Sequence, residues 1–140
     1  MKKLIVVLFL FFVLVSNINT RKEFSLKDYV SGDYAVYTNK KVNDSSIFLG
    51  TCFMSKNADT SNDIIGESIK TSNIELVTLL KELDAEIIST EYLECGAVVI
   101  SAFSQKINDR VKVGGQNINL QIAAYTDYSI IGWPLILGSF

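Results

Sequence analysis

The side chains able to do chemistry in this chain are few. There are two cysteines and no histidine. Without histidine, the Ser-His-Asp and Cys-His catalytic sets and every His-ligated metal site are excluded. Two thiols cannot supply a four-thiolate zinc site. Cys52 and Cys95 have no Cys-x-x-Cys spacing. They are a candidate disulfide if the chain meets an oxidising exterior. Closing that loop of about 43 residues would stabilise by about 3–4 kcal/mol. The alternative is two separate thiols that pack as small apolar residues.

Carboxylates form the next set: Asp59, Asp63 and Glu67, with Glu91 and Glu94 beyond them. Acid clusters bind Ca²⁺ through oxygen, but the 59–67 spacing is not that of an EF-hand loop. The expectation is a solvated loop. Paired carboxylates can also hydrolyse glycosides, which would require two of these acids to converge in one cleft. Gly114-Gly115 has no following Lys-Ser/Thr and no following helix, so it is a hairpin turn rather than a phosphate cradle. Neither a metal nor a cofactor is implied.

The aromatic set Tyr34, Tyr37, Tyr92, Phe103, Tyr125, Tyr128 and Trp133 could stack bases if it shared one sheet face with a basic rim. The chain has 13 Lys+Arg against 15 Asp+Glu, for a net charge of −2. Its basic residues are scattered. Nucleic-acid affinity depends on phosphate neutralisation, so no nucleic-acid partner is expected. Core and cross-strand packing is the expected role of these rings.

The elements that must position these residues begin after a leader. Met1-Lys2-Lys3 precedes Leu4–Val15, an unbroken apolar run of 12 residues, and then Ser16, Asn17 and a charged stretch. This is the pattern of a secretory signal. The run is short for a membrane span, which takes roughly 17–25 apolar residues. Residues 1–18 are therefore expected to be a signal peptide, or an N-terminal anchor if uncleaved. A cut after Ser16 would leave 11 basic against 15 acidic residues, a net charge of −4. The chain is expected to be exported, to the cell envelope or the extracellular side. Its only membrane contact would be residues 1–18.

Residues 19–32 read as a polar tether, with Phe24 and Leu26 docking locally. Residues 33–140 read as a single domain. Tyr34–Thr38 is strand-like, and Ser46–Met54 reads as one strand with a bulge at Gly50, the two forming a hairpin. Ile64–Ile69 is ambiguous. Ser72-x-x-Glu75 is a capping box, and Leu76, Leu79, Leu80 and Leu83 form one helical stripe. A helix that short must pack on a sheet.

After Asp84 the period changes to two. Ile88–Leu93 and Ala97–Phe103 are strands. A hairpin follows at Gly114-Gly115. Asn117–Tyr125 alternates, with Ile118, Leu120, Ile122 and Ala124 on one face. The last strand, Tyr128–Leu137, contains Pro134 and is expected at an edge or bulged there. The sum is an α+β fold: an antiparallel sheet of about six strands with one amphipathic helix packed on one face.

The run Lys112-Val113-Gly114-Gly115-Gln116-Asn117-Ile118-Asn119-Leu120-Gln121-Ile122-Ala123, followed by Ile131-Gly132-Trp133-Pro134-Leu135-Ile136, resembles the C-terminal part of the YwmB-like family of Gram-positive bacteria. The similarity covers residues 66–140. It departs at Trp133, where the family pattern has a small residue. The resemblance implies an exported protein of spore-forming Firmicutes with a TATA-box-binding-like α+β fold. It brings no catalytic residue.

The reading is a non-enzymatic, exported envelope protein of uncharacterised role that acts through contact with another envelope protein. The alternative is a small-ligand or polysaccharide-binding module that uses the helix-free face of the sheet. A cell-wall hydrolase accessory is a third reading.

Overall fold

A computed structural model describes residues 24–50, 52–56, 64–72 and 74–137. Residues 1–18, expected to be a signal peptide or anchor, lie outside them. Among the described residues no helix is long and apolar enough to cross a membrane.

The fold is α+β. Its main sheet is antiparallel throughout and has eight strands, in the order β2-β3-β1-β4-β10-β9-β6-β5. In chain order these are β1 (Asp33–Thr38), β2 (Ile47–Phe48), β3 (Phe53–Ser55), β4 (Ile64–Thr71), β5 (Ala85–Tyr92), β6 (Val98–Ser104), β9 (Leu120–Ala124) and β10 (Ser129–Trp133). A separate two-stranded ribbon pairs β7 (Val111–Val113) with β8 (Gln116–Ile118). One α-helix, α1 (Leu76–Glu82), links β4 to β5.

The strand count exceeds the expected six because two sequence runs are broken, the ambiguous run at Ile64 is a strand, and β7 pairs with β8 in a separate ribbon. Ser46–Met54 is not one bulged strand. Leu49 N–H donates to Cys52 O at 2.8 Å, and Gly50 takes φ +90° between them. The run becomes β2 and β3, and β1 pairs with β3 rather than with β2. Asn117–Tyr125 is interrupted at Asn119, which separates β8 from β9. The ambiguous run at Ile64 is an eight-residue central strand. At the Gly114-Gly115 turn both glycines have positive φ, 57° and 84°, the conformation a tight two-residue hairpin needs.

Two further expectations are corrected. β10 is not an edge strand: it lies between β4 and β9. Pro134 follows the strand's last residue, so its missing N–H costs the ladder nothing. The capping box is not formed either. The helix starts at Leu76, its N-cap is Glu75, and the Glu75 side chain makes no capping bond. Ser72 directly follows the end of β4, too far back to reach the first turn.

The leucine stripe of α1 does pack inward. Leu79 and Leu83 are buried, and Leu76 and Leu80 pack against the same cluster. The strand end opposite closes the helix. Ser104 Oγ donates to Leu83 O at 2.5 Å, and Lys106 Nζ donates to Glu82 O at 2.5 Å. These bonds satisfy terminal carbonyls that have no partner within the helix.

The sheet has two distinct faces. Ile69, Ile131, Ile122, Leu120 and Ala102 lie on the core face with Trp133, beneath α1, Leu26 and Val30. Of the segment 19–32, residues 24–32 are described. Within them a 3₁₀ turn, Leu26–Asp28, docks on the sheet with Leu26 fully buried. Phe24 and Leu26 thus dock on the main sheet, at Trp133 and Glu67, rather than locally. Phe24 stacks on Tyr29 at 5.7 Å and meets Trp133 edge-on at 5.8 Å.

Candidate functional site

The acids singled out above do not converge. Asp59 and Asp63 lie outside the described residues. Glu67 and Glu91 face opposite sides of the sheet: Glu67 pairs with Trp133 on the core side, and Glu91 pairs with Val99 on the helix-free side. Glu94 is in the β5–β6 turn. Among the described residues no three His, Cys, Asp or Glu gather as a metal site. The cleft that glycoside hydrolysis needs is not assembled by Glu67, Glu91 and Glu94.

Cys52 is buried and Cys95 is exposed, and both are free thiols. Cys52 adjoins β3 and Cys95 adjoins β6, five positions apart in the strand order. At about 4.8 Å per strand the separation is about 24 Å, far beyond disulfide reach. The disulfide considered from the sequence is therefore not formed.

The aromatic set does not make one platform. Tyr34 and Trp133 are on the core face. Tyr37 is buried on the other face, with its hydroxyl 3.0 Å from Ser68 Oγ. Burial pushes the Tyr37 phenol above its ordinary value, an effect partly offset by the bond to Ser68. Tyr125 and Tyr128 stack on each other at 4.5 Å. Tyr92 projects into solvent at the free edge.

Sequence reasoning missed the role of Glu67. It is 3% exposed and accepts four hydrogen bonds. Ser25 Oγ donates to Oε1 at 3.1 Å, Leu26 N–H to Oε2 at 2.7 Å, the Tyr34 hydroxyl to Oε1, and Trp133 Nε1–H to Oε2 at 2.7 Å. A buried carboxylate is tolerated when such donors replace its hydration. Burial, then the bond and charge of Glu67, raise the Tyr34 phenol well above its ordinary value. The arrangement is a structural clamp that holds the N-terminal segment on the sheet. The expected solvated loop is thereby corrected for Glu67; the signal available was that Glu67 shares the two-residue period of Ile69, which is buried on the core face of β4.

The helix-free face holds the second missed feature. Strand register aligns one row across the sheet: Ala35, Ser68, Gly132, Gln121, Ser101 and Ser89. Most are small, so the row forms a trough. After the cis Trp133–Pro134 bond the chain turns onto this face. A Cβ at Gly132 would stand 2.9 Å from Leu135 O and 3.0 Å from Ile136 Cα, so only glycine admits the returning segment. Ile136 N–H donates to Gln121 Oε1 at 3.1 Å.

Beyond Leu135 the trough opens into a groove of about 430 Å³. Its floor is Ser89, Glu91, Val99, Ser101 and Gln121, and the β7–β8 hairpin walls it with Val113, Gly114, Gln116 and Ile118. Among the described residues Glu91 is its one ionisable lining group. These side chains can bind a ligand by hydrogen bonds and one charge.

No family model, curated protein or solved structure matches this chain.

Proposed function

We propose that this is an exported, non-enzymatic cell-envelope protein that acts by contact with another protein. The observation that carries the reading is the state of the two sheet edges. On β2, Ile47 is 57% and Phe48 61% exposed, and Leu49 beside them is exposed too. On β5, at the other end of the sheet, Ile87 is 49% and Tyr92 82% exposed. An uncovered strand edge with large apolar side chains is a template for pairing with another chain, and soluble proteins normally blunt or cover it. The leader pattern at residues 1–18 supports export, and the resemblance to the YwmB-like family supports the same compartment. Neither a nucleic-acid partner nor a cofactor belongs to this reading.

A photo-crosslinking amino acid placed at Phe48 or at Tyr92 of the full chain, expressed in its native envelope, tests the reading. A discrete crosslinked protein from one of these positions, and none from exposed Lys112, is the expected result. Absence of adducts from both edges would refute it. Export is tested separately with an alkaline phosphatase reporter fused after residue 20, which should be active outside the cytoplasm.

A second reading, a ligand-binding module, is favoured by the groove on the helix-free face.

A further inference from the structure

We infer that the groove on the helix-free face is a peptide-binding site, which takes about three extended residues of a partner protein and holds a basic side chain against Glu91. The inference rests on the contact reading in one respect: the ligand is a segment of a protein.

Three observations carry it. The first is that the trough already holds a peptide. Leu135 and Ile136 lie across Gly132, and the Ile136 backbone N–H is bound by the side-chain amide of Gln121. The chain's own segment fills the Gly132 end, and Leu135 forms the wall where the open groove begins.

The second observation is unmet hydrogen-bonding capacity in the open part. Ser101 is only 8% exposed, yet among the described residues its hydroxyl has no hydrogen-bond partner. A polar group so buried normally has one. Ser89 lies directly opposite it on β5, and Gln116 reaches in from the hairpin. Hydroxyls and carboxamides are the side chains that pair with backbone N–H and C=O groups. From Gln121 to Ser89 is two strand spacings, about 10 Å. Extended backbone covers that in about three residues at roughly 3.3 Å each.

The third observation is charge. Glu91 is the groove's one ionisable lining group and has no ion pair among the described residues. The neighbouring acids along this edge are Glu86 on β5 and Glu94 in the turn beyond it. A basic side chain is the complement, and Val99 and Val113 beside it suit an aliphatic neighbour. An oligosaccharide is the weaker occupant, because among the described residues no aromatic ring lines the groove to stack on a sugar face.

Panning random heptapeptides against the full chain tests the inference. Enrichment of sequences with a Lys or Arg next to an aliphatic residue is expected. Glu91→Lys should reverse the charge preference of the recovered peptides. Gln116→Trp should weaken binding of the parent peptides at least tenfold by filling the groove. Both positions are exposed, so neither variant threatens the fold. Failure to enrich any sequence, or peptides that bind both variants as tightly as the parent, would overturn the inference. So would binding of neutral oligosaccharides that Gln116→Trp abolishes. Crosslinks from Phe48 or Tyr92 that persist after such a failure would leave the contact reading intact, and loss of both would end it.

Discussion

Trp133 and Glu67 stand directly opposite each other on adjacent strands, and the indole N–H donates to the carboxylate at 2.7 Å. This bond joins the last strand of the sheet to the residue that also holds Ser25 and Leu26. Glu67→Ala should destabilise the fold by about 3 kcal/mol, because it leaves several buried donors without an acceptor. Trp133→Phe should cost less on the polar side, since the carboxylate keeps three other donors. Urea denaturation with an unchanged m-value is the measurement. A midpoint shift for Glu67→Ala no larger than that of an exposed-site substitution would mean the clamp is not closed.

Tyr34 makes the same clamp sensitive to alkali. Burial and the adjacent Glu67 raise its phenol above the ordinary 10.0. The folded state therefore holds this proton where the unfolded chain has begun to release it. Stability from this group is fully present below pH of about 10 and is lost as pH rises above that. Tyr37, also raised by burial, acts in the same direction. Tyr34→Phe should flatten the alkaline limb of stability against pH, leaving the part due to Tyr37. Denaturant midpoints from pH 8 to 11 would show this, and identical limbs in the two proteins would count against it.

The helix separates what was legible from what was not. Its stripe of Leu76, Leu79, Leu80 and Leu83 was readable, because side-chain period is a local property. Its start was not. Ser72 and Glu75 have capping-box spacing, but β4 runs to Thr71 and the connection uses the next residues. Ser72→Ala should therefore shift stability by less than about 0.5 kcal/mol. Leu83→Ala removes a fully buried side chain and should cost about 2–5 kcal/mol. Equal shifts for the two would put the cap back at Ser72.

The trough was illegible for a different reason. Ser68, Gly132, Gln121, Ser101 and Ser89 come from five strands, and they form a row only once the register is set. No local pattern announces such a row. The Glu67 clamp was illegible too: Glu67 was expected in a solvated loop, and its donors at Ser25 and Trp133 are 42 and 66 residues away.

Asn119 shows how one residue can break an alternating run and still be essential to it. By period it belongs with the outward-facing residues between Ile118 and Leu120. It is instead fully buried, and its carboxamide works as a substitute strand. Oδ1 accepts from Ser104 N–H at 2.7 Å, and Nδ2 donates to Ser104 O at 2.7 Å and to Ile107 O at 3.0 Å. These bonds fasten the end of β6 and the following loop where the ladder to β9 stops. Ser104 also caps α1, so the same junction anchors the helix. Asn119→Ala should leave the Ser104 N–H and the Ile107 carbonyl unpaired, and the Ser104 carbonyl with only the 3.4 Å bond from Ile107 N–H, and cost about 2–4 kcal/mol. Asn119→Asp should be no milder, because the donor is lost and a charge is buried in its place. Hydrogen exchange locates the effect: protection should fall first at Ser104 and Ile107, then at Leu83. Loss of protection confined to the β7–β8 hairpin would show that Asn119 braces the ribbon rather than the sheet.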